Sequence, residues 1–354
     1  MVLRSGEKNL TEPIKKTSIK DIAKEAGVAI STVSHVINKT KYVSEGTSKK
    51  VRKAVEKLSY RPNIIARGLR TKSTRTIGVI LPDISQPFFA QVLRGIEEVS
   101  RNRNYTLIMG CSFYDIKEED RLMNSMIDQS IDGLLFFCGY DSYDHIMKAH
   151  KSKIPVVVLD REIEDGEIPS VLIDNNMAMQ SAVQYLYDLG HRKIGFITFP
   201  YENQTTIKRR YEGYCQCLAR NGLDYDPDIV VISDKMRLHE LQGTYNVIKE
   251  KISEGKVATA YCFLADFLAL GAMHAFKESG YKIPRDISIM GFNNEVVCEF
   301  SDPPLTTVKQ PKKLMGITAA DLILDMIEGE KIENKNIILE TTIIKRKSTS
   351  APEK

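Results

Sequence analysis

From Thr76 onward the chain repeats a pattern that few folds satisfy. Short apolar runs (TIGVIL, YTLIMG, DGLLFF, IPVVVLD, SVLID, RKIGFIT, IVVI, ATAYCF and DISIMGF) are mostly separated by amphipathic stretches such as FFAQVLRGIEEVSRN and MAMQSAVQYLYDLG. Runs with no polar alternation are strands covered on both faces, and the helices between them return the chain to begin the next parallel strand. The spacing suits an α/β body of two doubly wound lobes, with a ligand cleft at the carboxyl ends of the strands. A chain of 354 residues has room for that body and a smaller domain besides.

Charge divides the chain at the same place. Residues 1–76 hold 18 Lys and Arg against 6 Asp and Glu, a net of +12; the remainder holds 32 against 40, a net of −8, and the whole-chain +4 conceals both. A basic head on an acidic body is the signature of a polyanion binder, with a solvated lysine-rich face as the plain alternative. Within the head, residues 1–16 read as a disordered basic lead. SIKDIAKEAG then places Ile19, Ile22, Ala23 and Ala26 on one helical stripe, with Thr17 or Ser18 as cap and Gly27 as stop. AISTVSHVIN follows a tight turn, with Val33, Val36 and Ile37 inward and Ser31, Ser34, His35 and Asn38 outward. A third helix begins near Ser44 with Val51, Ala54, Val55 and Leu58 inward, and the arginine-rich RPNIIARGLRTKSTRT marks the boundary.

Two short helices joined by a glycine turn in a basic module make a helix-turn-helix. The second helix is built from weak helix formers. Packing accounts for its valines and isoleucine, but not for an outer face that avoids the Lys and Glu usual on solvated helices. Small hydroxyls and methyls there let a backbone approach the major groove closely.

Other classes find little support. No apolar run approaches the ~18 residues of a membrane span, and MVLRSGEKNLTEPIKK lacks the apolar core of a secretory signal, so a cytoplasmic, nucleoid-associated protein is expected. Four cysteines (Cys111, Cys138, Cys262, Cys298) read as reduced core thiols; Cys215 and Cys217, in CxC spacing on a helix, diverge too far to chelate. Neither metal nor cofactor is expected. GxxxxGK[ST], GxSxG, HExxH and GxGxxG are absent, the histidines are scattered, and His191 reads as a loop-ordering residue, so the chain is not read as an enzyme. The alternative is a solute-binding protein of the periplasmic type, against which the basic head argues.

IKDIAKEAGVAISTVSHVINKTKYVSEGTSKKVRKAVEKLSYRPNIIARGLRTKSTRTIGVILPDISQPFF resembles the lactose-repressor/galactose-repressor (LacI/GalR) family of bacterial transcription factors. The resemblance continues through DNNMAMQSAVQYLYDLGHRKIGFI, RRYEGY, ADFLALGAMHAF, IPRDISIMGFNN and PPLTTVKQPKKLMG, covering roughly residues 17–345. It implies a repressor that binds a palindromic DNA operator as a homodimer, under control of a small-molecule effector, a sugar or sugar derivative. The implied organisation is a helix-turn-helix domain over 17–62, a hinge helix and linker over 63–75, an effector-binding and dimerisation body over 76–346, and a tail over 347–354.

The resemblance also assigns roles. Ile30, Ser31 and His35 stand where the family reads base edges. Ser18, Ile19, Thr32, Ser34, Asn38, Tyr60 and Asn63 stand where it contacts phosphates or sets the docking angle. Ala29 replaces the usual Ser or Thr cap, forfeiting roughly 1 kcal/mol. His35 stands where Arg is commonest, and offers a single hydrogen bond to guanine rather than a fork. NIIARGLRT matches the hinge helix, with Leu69 as a minor-groove wedge, Ala66 packed beside it, and Arg67 and Arg70 near the backbone. Read alone, Leu69 is a linker leucine packed on the body.

Phe88, Phe89, Asp160, Arg210, Asp266 and Asn293 hold positions that line or support the effector cleft. The plainer readings are core packing for the two phenylalanines and a strand-end structural acid for Asp160. Asn293 replaces the usual acid, and Ala265 the asparagine common in sugar-responsive members. These departures, together with Arg161 and Arg210, leave an acidic or phosphorylated effector as an alternative to a simple sugar.

Overall fold

The computed structural model describes residues 17–60, 73–139, 144–161, 163, 166–202, 204–236 and 241–353. The chain forms two compact units divided between Thr74 and Arg75. In the first, α1 (Ile19–Ala26), α2 (Ile30–Asn38) and α3 (Glu45–Lys57) pack around Ile22, Ala23, Val33, Val51 and Ala54. Ser18 caps α1: its hydroxyl accepts from the Asp21 N–H while the Asp21 carboxylate accepts from the Ser18 N–H. Thr17 instead donates to the carbonyl of Leu58, 3.1 Å away, tying the start of α1 to the end of α3. Gly27, at φ +65°, ends α1 in the left-handed conformation that glycine adopts without strain and so makes the turn into α2.

Among the described residues, the second unit holds two six-stranded sheets. Its strands are β1 (Thr76–Leu81), β2 (Thr106–Cys111), β3 (Gly133–Phe137), β4 (Val156–Leu159), β5 (Ser170–Ile173), β6 (Ile194–Thr198), β7 (Val230–Ile232), β8 (Ala260–Phe263), β9 (Ser288–Asn293), β10 (Thr306–Lys309), β11 (Asn336–Leu339) and β12 (Thr342–Ile344). Its helices are α4 (Pro87–Asn102), α5 (Ile116–Asp128), α6 (Asp144–Lys151), α7 (Asn175–Asp188), α8 (Thr205–Arg220), α9 (Leu241–Ser253), α10 (Asp266–Glu278), α11 (Val297–Phe300) and α12 (Lys312–Glu328). One sheet runs β11-β5-β4-β3-β1-β2 and the other β12-β10-β9-β8-β6-β7. Pairing is parallel throughout except where β12 meets β10.

The chain passes between the lobes after β5, after β10 and between β11 and β12. The second passage delivers α12 onto the first lobe, where it lies on α4 at backbone contact. A Cβ on Gly316 would stand 2.0 Å from the Val92 carbonyl oxygen, and one on Gly95 2.2 Å from that of Lys313.

Residues 346–350, partly assigned to the tail, are built into the second lobe. Ser348 Oγ donates to Ile289 O and accepts from Thr306 N–H, and the Ser350 N–H donates to Ser288 Oγ. His191, buried, bridges Thr259, Ser288 and the Ser350 carbonyl at 2.9–3.0 Å, so it anchors this strap as well as its own loop. Among the described residues no helix is long and apolar enough to cross a membrane, and no His, Cys, Asp and Glu cluster could hold a metal ion.

Candidate DNA-reading helix and effector cleft

On α2, Ile30 is 45% exposed and Ser31 is open to solvent, while Thr32 and His35 are half-buried. His35 Nδ1 lies 2.8 Å from Thr40 Oγ1, which orients the ring. Ala29 caps nothing. Ser34 departs from the outward placement: it is buried, because its position falls at the margin of the stripe beside Val33 and Ile37. Asn38 turns back on the helix, its Nδ2 donating to Ser34 O at 2.9 Å and to Ser34 Oγ at 3.2 Å. Ile19 and Tyr60 pack against the head core, and the Ser18 hydroxyl serves the capping box. Tyr42, on the turn after α2, is 94% exposed, and sequence reasoning passed over it. Asn63, Ala66, Arg67, Leu69 and Arg70 lie outside the described residues.

In the body, an open cleft of about 710 Å³, its mouth included, is lined by Phe88, Phe89, Asp160, Arg161, Arg210 and Asn293 of the expected set, with Ala265. Phe89 meets Phe88 and Phe137 edge-on at 5.2 and 5.3 Å, so both phenylalanines line the cleft and also belong to the core. Asp160 follows β4 in a left-handed conformation (φ +68°), held by its N–H donating to Val171 O at 2.9 Å. Burial raises its pKa, and Arg210 and Arg161 pull it down. Arg210 comes from α8, with Nε donating to Asn175 Oδ1 and Nη1 to Leu264 O, both at 2.8 Å, and its guanidinium 3.8 Å over the Phe292 ring. Burial lowers its pKa to about 10, against the pull of Asp160 and Asp266. Asn293, at φ +113°, accepts from Gln310 Nε2 at 2.7 Å.

Asp266 sits beneath the cleft rather than on it. Fully buried, it accepts from Thr307 Oγ1 at 2.6 Å and from the Glu295 N–H at 2.7 Å, holding the turn that follows Asn293. Burial pushes its pKa up to about 6. Cleft residues absent from the expected set include Gln86, whose Nε2 donates to Tyr114 Oη at 2.5 Å, and Gln310. Their one signal is position: the residues after β1, β3, β4, β8 and β10 all reach the cleft, as the carboxyl-end rule for parallel sheets requires.

Residues 18–63 match the lacI family of bacterial regulatory proteins, and residues 183–349 match a periplasmic binding protein-like domain. Catabolite control protein A of Priestia megaterium is 34% identical over 94% of this chain and 99% of its own length. The chain belongs to the LacI family of bacterial regulatory proteins. The lac repressor dimer bound to operator and the anti-inducer ONPF superposes with a TM-score of 0.84 at 27% identity, over 95% of this chain and all of that one. A LacI-family regulator from Enterococcus faecium with bound ribose is 31% identical, covers 78% of this chain and 99% of its own, and gives a TM-score of 0.69. This LacI-family chain is therefore a DNA-binding transcriptional regulator and not an enzyme, and its body is the effector-binding part. The solute-binding alternative is set aside.

Proposed function

We propose that two copies of the chain read a palindromic operator as a dimer, each through Ile30, Ser31 and His35 of α2, and repress transcription under the control of a small polar effector, a sugar or sugar derivative, that occupies the cleft. The observation that carries this is the α2 face. It presents an exposed isoleucine, an exposed serine and a histidine fixed by Thr40, in a head whose net charge is +12. That charge supplies the sequence-independent attraction to phosphates, and the short side chains supply contacts to base edges. The lac repressor neighbour, a dimer on its operator, supports the dimeric reading. The cleft's aromatic walls with a few convergent polar groups, and the ribose in the Enterococcus faecium neighbour, support the sugar reading. The place of action is then the chromosome, in the cytoplasm. Selection of random duplexes by the full-length chain tests it: a two-fold symmetric site should emerge, bound with a steep dependence on salt. Enrichment of no sequence would sink the proposal.

A further inference from the structure

The first turn of α12 touches both lobes. Lys313 turns to the first: its Nζ lies 2.8 Å from Glu98 Oε2 on α4, and its carbonyl oxygen is the atom that a Cβ on Gly95 would strike. Lys312, one residue earlier, turns to the second, where its Nζ donates to Glu295 Oε1 at 2.9 Å and to the Asn294 carbonyl at 3.3 Å. The two pairs differ in setting. Lys313 and Glu98 face solvent, while the side chains of Lys312 and Glu295 are each 4% exposed. An ion pair in water is screened and holds little. A buried one fixes the separation of whatever carries it, because either charge left alone inside would be costly.

Glu295 belongs to the turn after β9, and that turn is strained. Asn293 and Asn294 stand at φ +113° and +52°, which residues other than glycine keep only where their surroundings hold them. Asp266, Arg346 and Lys312 do so. Asp266 accepts from the Glu295 N–H at 2.7 Å, Arg346 Nη2 donates to Asn294 Oδ1 at 2.8 Å, and Lys312 holds the Asn294 carbonyl and the Glu295 carboxylate. Asp266 and Arg346 share the second lobe with the turn; Lys312 reaches it from a helix that lies on the first. At its other end the turn meets the cleft, where Asn293 accepts from Gln310 Nε2 at 2.7 Å and both residues form part of the lining. Among the described residues Glu295 Oε2 has no hydrogen-bond partner, so the carboxylate is held through one oxygen. A point contact to an ammonium fixes a distance and leaves an angle free, as a joint does.

We propose that Lys312 and Glu295 are positioning residues that set the angle between the two lobes. Their ion pair is the joint by which a displacement of Asn293 or Gln310 at the cleft becomes a displacement of α12 and, through the contacts at Gly95 and Gly316, of α4. The pair serves position rather than stability, since a buried pair gains little over an apolar one of similar shape. This goes beyond the effector reading: it rests on the two lobes and holds whatever occupies the cleft.

The test reads the distance between the lobes in the full-length chain without ligand. Nitroxides go on Lys117 and Lys235, both exposed and just past the carboxyl ends of the edge strands β2 and β7. Unnatural amino acids carry them, since the chain has six cysteines of its own, and excess unlabelled chain keeps the labels to one copy. Pulsed electron resonance should give one narrow distance in the otherwise native chain. Lys312→Met combined with Glu295→Gln buries no charge and should unfold at nearly the native urea concentration, yet its distance should broaden or shift by more than about 2 Å. Glu295→Asp, which keeps the charge but shortens the joint, should shift it less. Lys312→Arg and Lys313→Met should both keep the native distance. A native distance in the double variant would overturn the proposal, as would its failure to fold, which would make the pair a prop of the fold. An equal shift from Lys313→Met would overturn it too, by moving the joint to the contact with α4. A random-duplex selection that enriches nothing would sink the regulator reading and leave this measurement standing.

Discussion

At the scale of single residues, His35 and Asp266 show how a local bond becomes a measurable property. Thr40 Oγ1, 2.8 Å from His35 Nδ1, fixes the ring that we propose reads a base edge. Replacing His35 with Ala should cost about 1–3 kcal/mol at one base pair of each half-site and little elsewhere. Thr40→Val, which keeps the ring but frees it, should lose a smaller part at the same base pair. Competition against operators substituted one base pair at a time checks both, and a loss spread evenly over all operators would place His35 on a phosphate instead. Asp266 bears on stability. Its pKa stands at about 6 in the fold against 3.8 in the unfolded chain, because burial outweighs the bonds from Thr307 and Glu295. The folded state therefore holds the proton more tightly. The stability this confers is complete below about pH 4 and is lost as pH rises through about 6, on the order of 3 kcal/mol for a fully buried group. Asp266→Asn does not titrate. Whatever fixed penalty the amide brings, the gap in unfolding free energy between the two proteins should move in the variant's favour across that window. Urea unfolding at a series of pH values reads the gap, and one that stays constant refutes the assignment.

Among the elements, α2 is the one whose sequence works against its own formation. It starts at Ala29 without a side-chain cap and consists largely of β-branched and hydroxyl residues, so it is held by Val33 in the head core rather than by propensity. Ala29→Ser should add a cap to an unmet N–H and stabilise the head by about 1 kcal/mol. Slower amide exchange confined to the first turn of α2 would show it, and exchange unchanged there would show that the turn is already satisfied by its surroundings. The same element marks the limit of reading by pattern. A helical wheel puts Ser34 outside, yet the boundary of a packed stripe depends on what α1 and α3 bring against it, which spacing within α2 does not contain. The alternation after Thr76 made the parallel lobes legible, since most of the runs are uniformly apolar. β10, β11 and β12 escaped because they are not: TTVK and TII carry threonines, and NIIL sits among charged and polar neighbours. With them went the lobe crossings, and with the crossings went Gln310. Asp266 was legible as an acid that lines or supports the cleft only through the family resemblance. Only the fold shows that its carboxylate is spent on Thr307 and Glu295.

For the whole molecule, the decisive quantity is the coupling between a head that reads DNA and a body that binds a ligand. The two are separate compact units divided at Thr74, of opposite net charge, and neither contains the other's site. The acidic body brings no net attraction for phosphates, so under the proposed function operator affinity belongs to the head and ligand affinity to the cleft between the lobes. Control requires a free energy linking them, and linkage makes that free energy reciprocal: the factor by which ligand changes operator affinity is the factor by which operator changes ligand affinity. For an allosteric protein of this kind it should fall near 5–150-fold, or about 1–3 kcal/mol. Ligand titrations of the dimer, free and saturated with operator, should therefore differ by the ratio seen in operator titrations with and without ligand. A body released by cleavage after Thr74 should give the operator-free ligand affinity and no duplex binding. A factor of one in both directions would leave a DNA-binding protein and a ligand-binding protein joined in one chain with no switch between them.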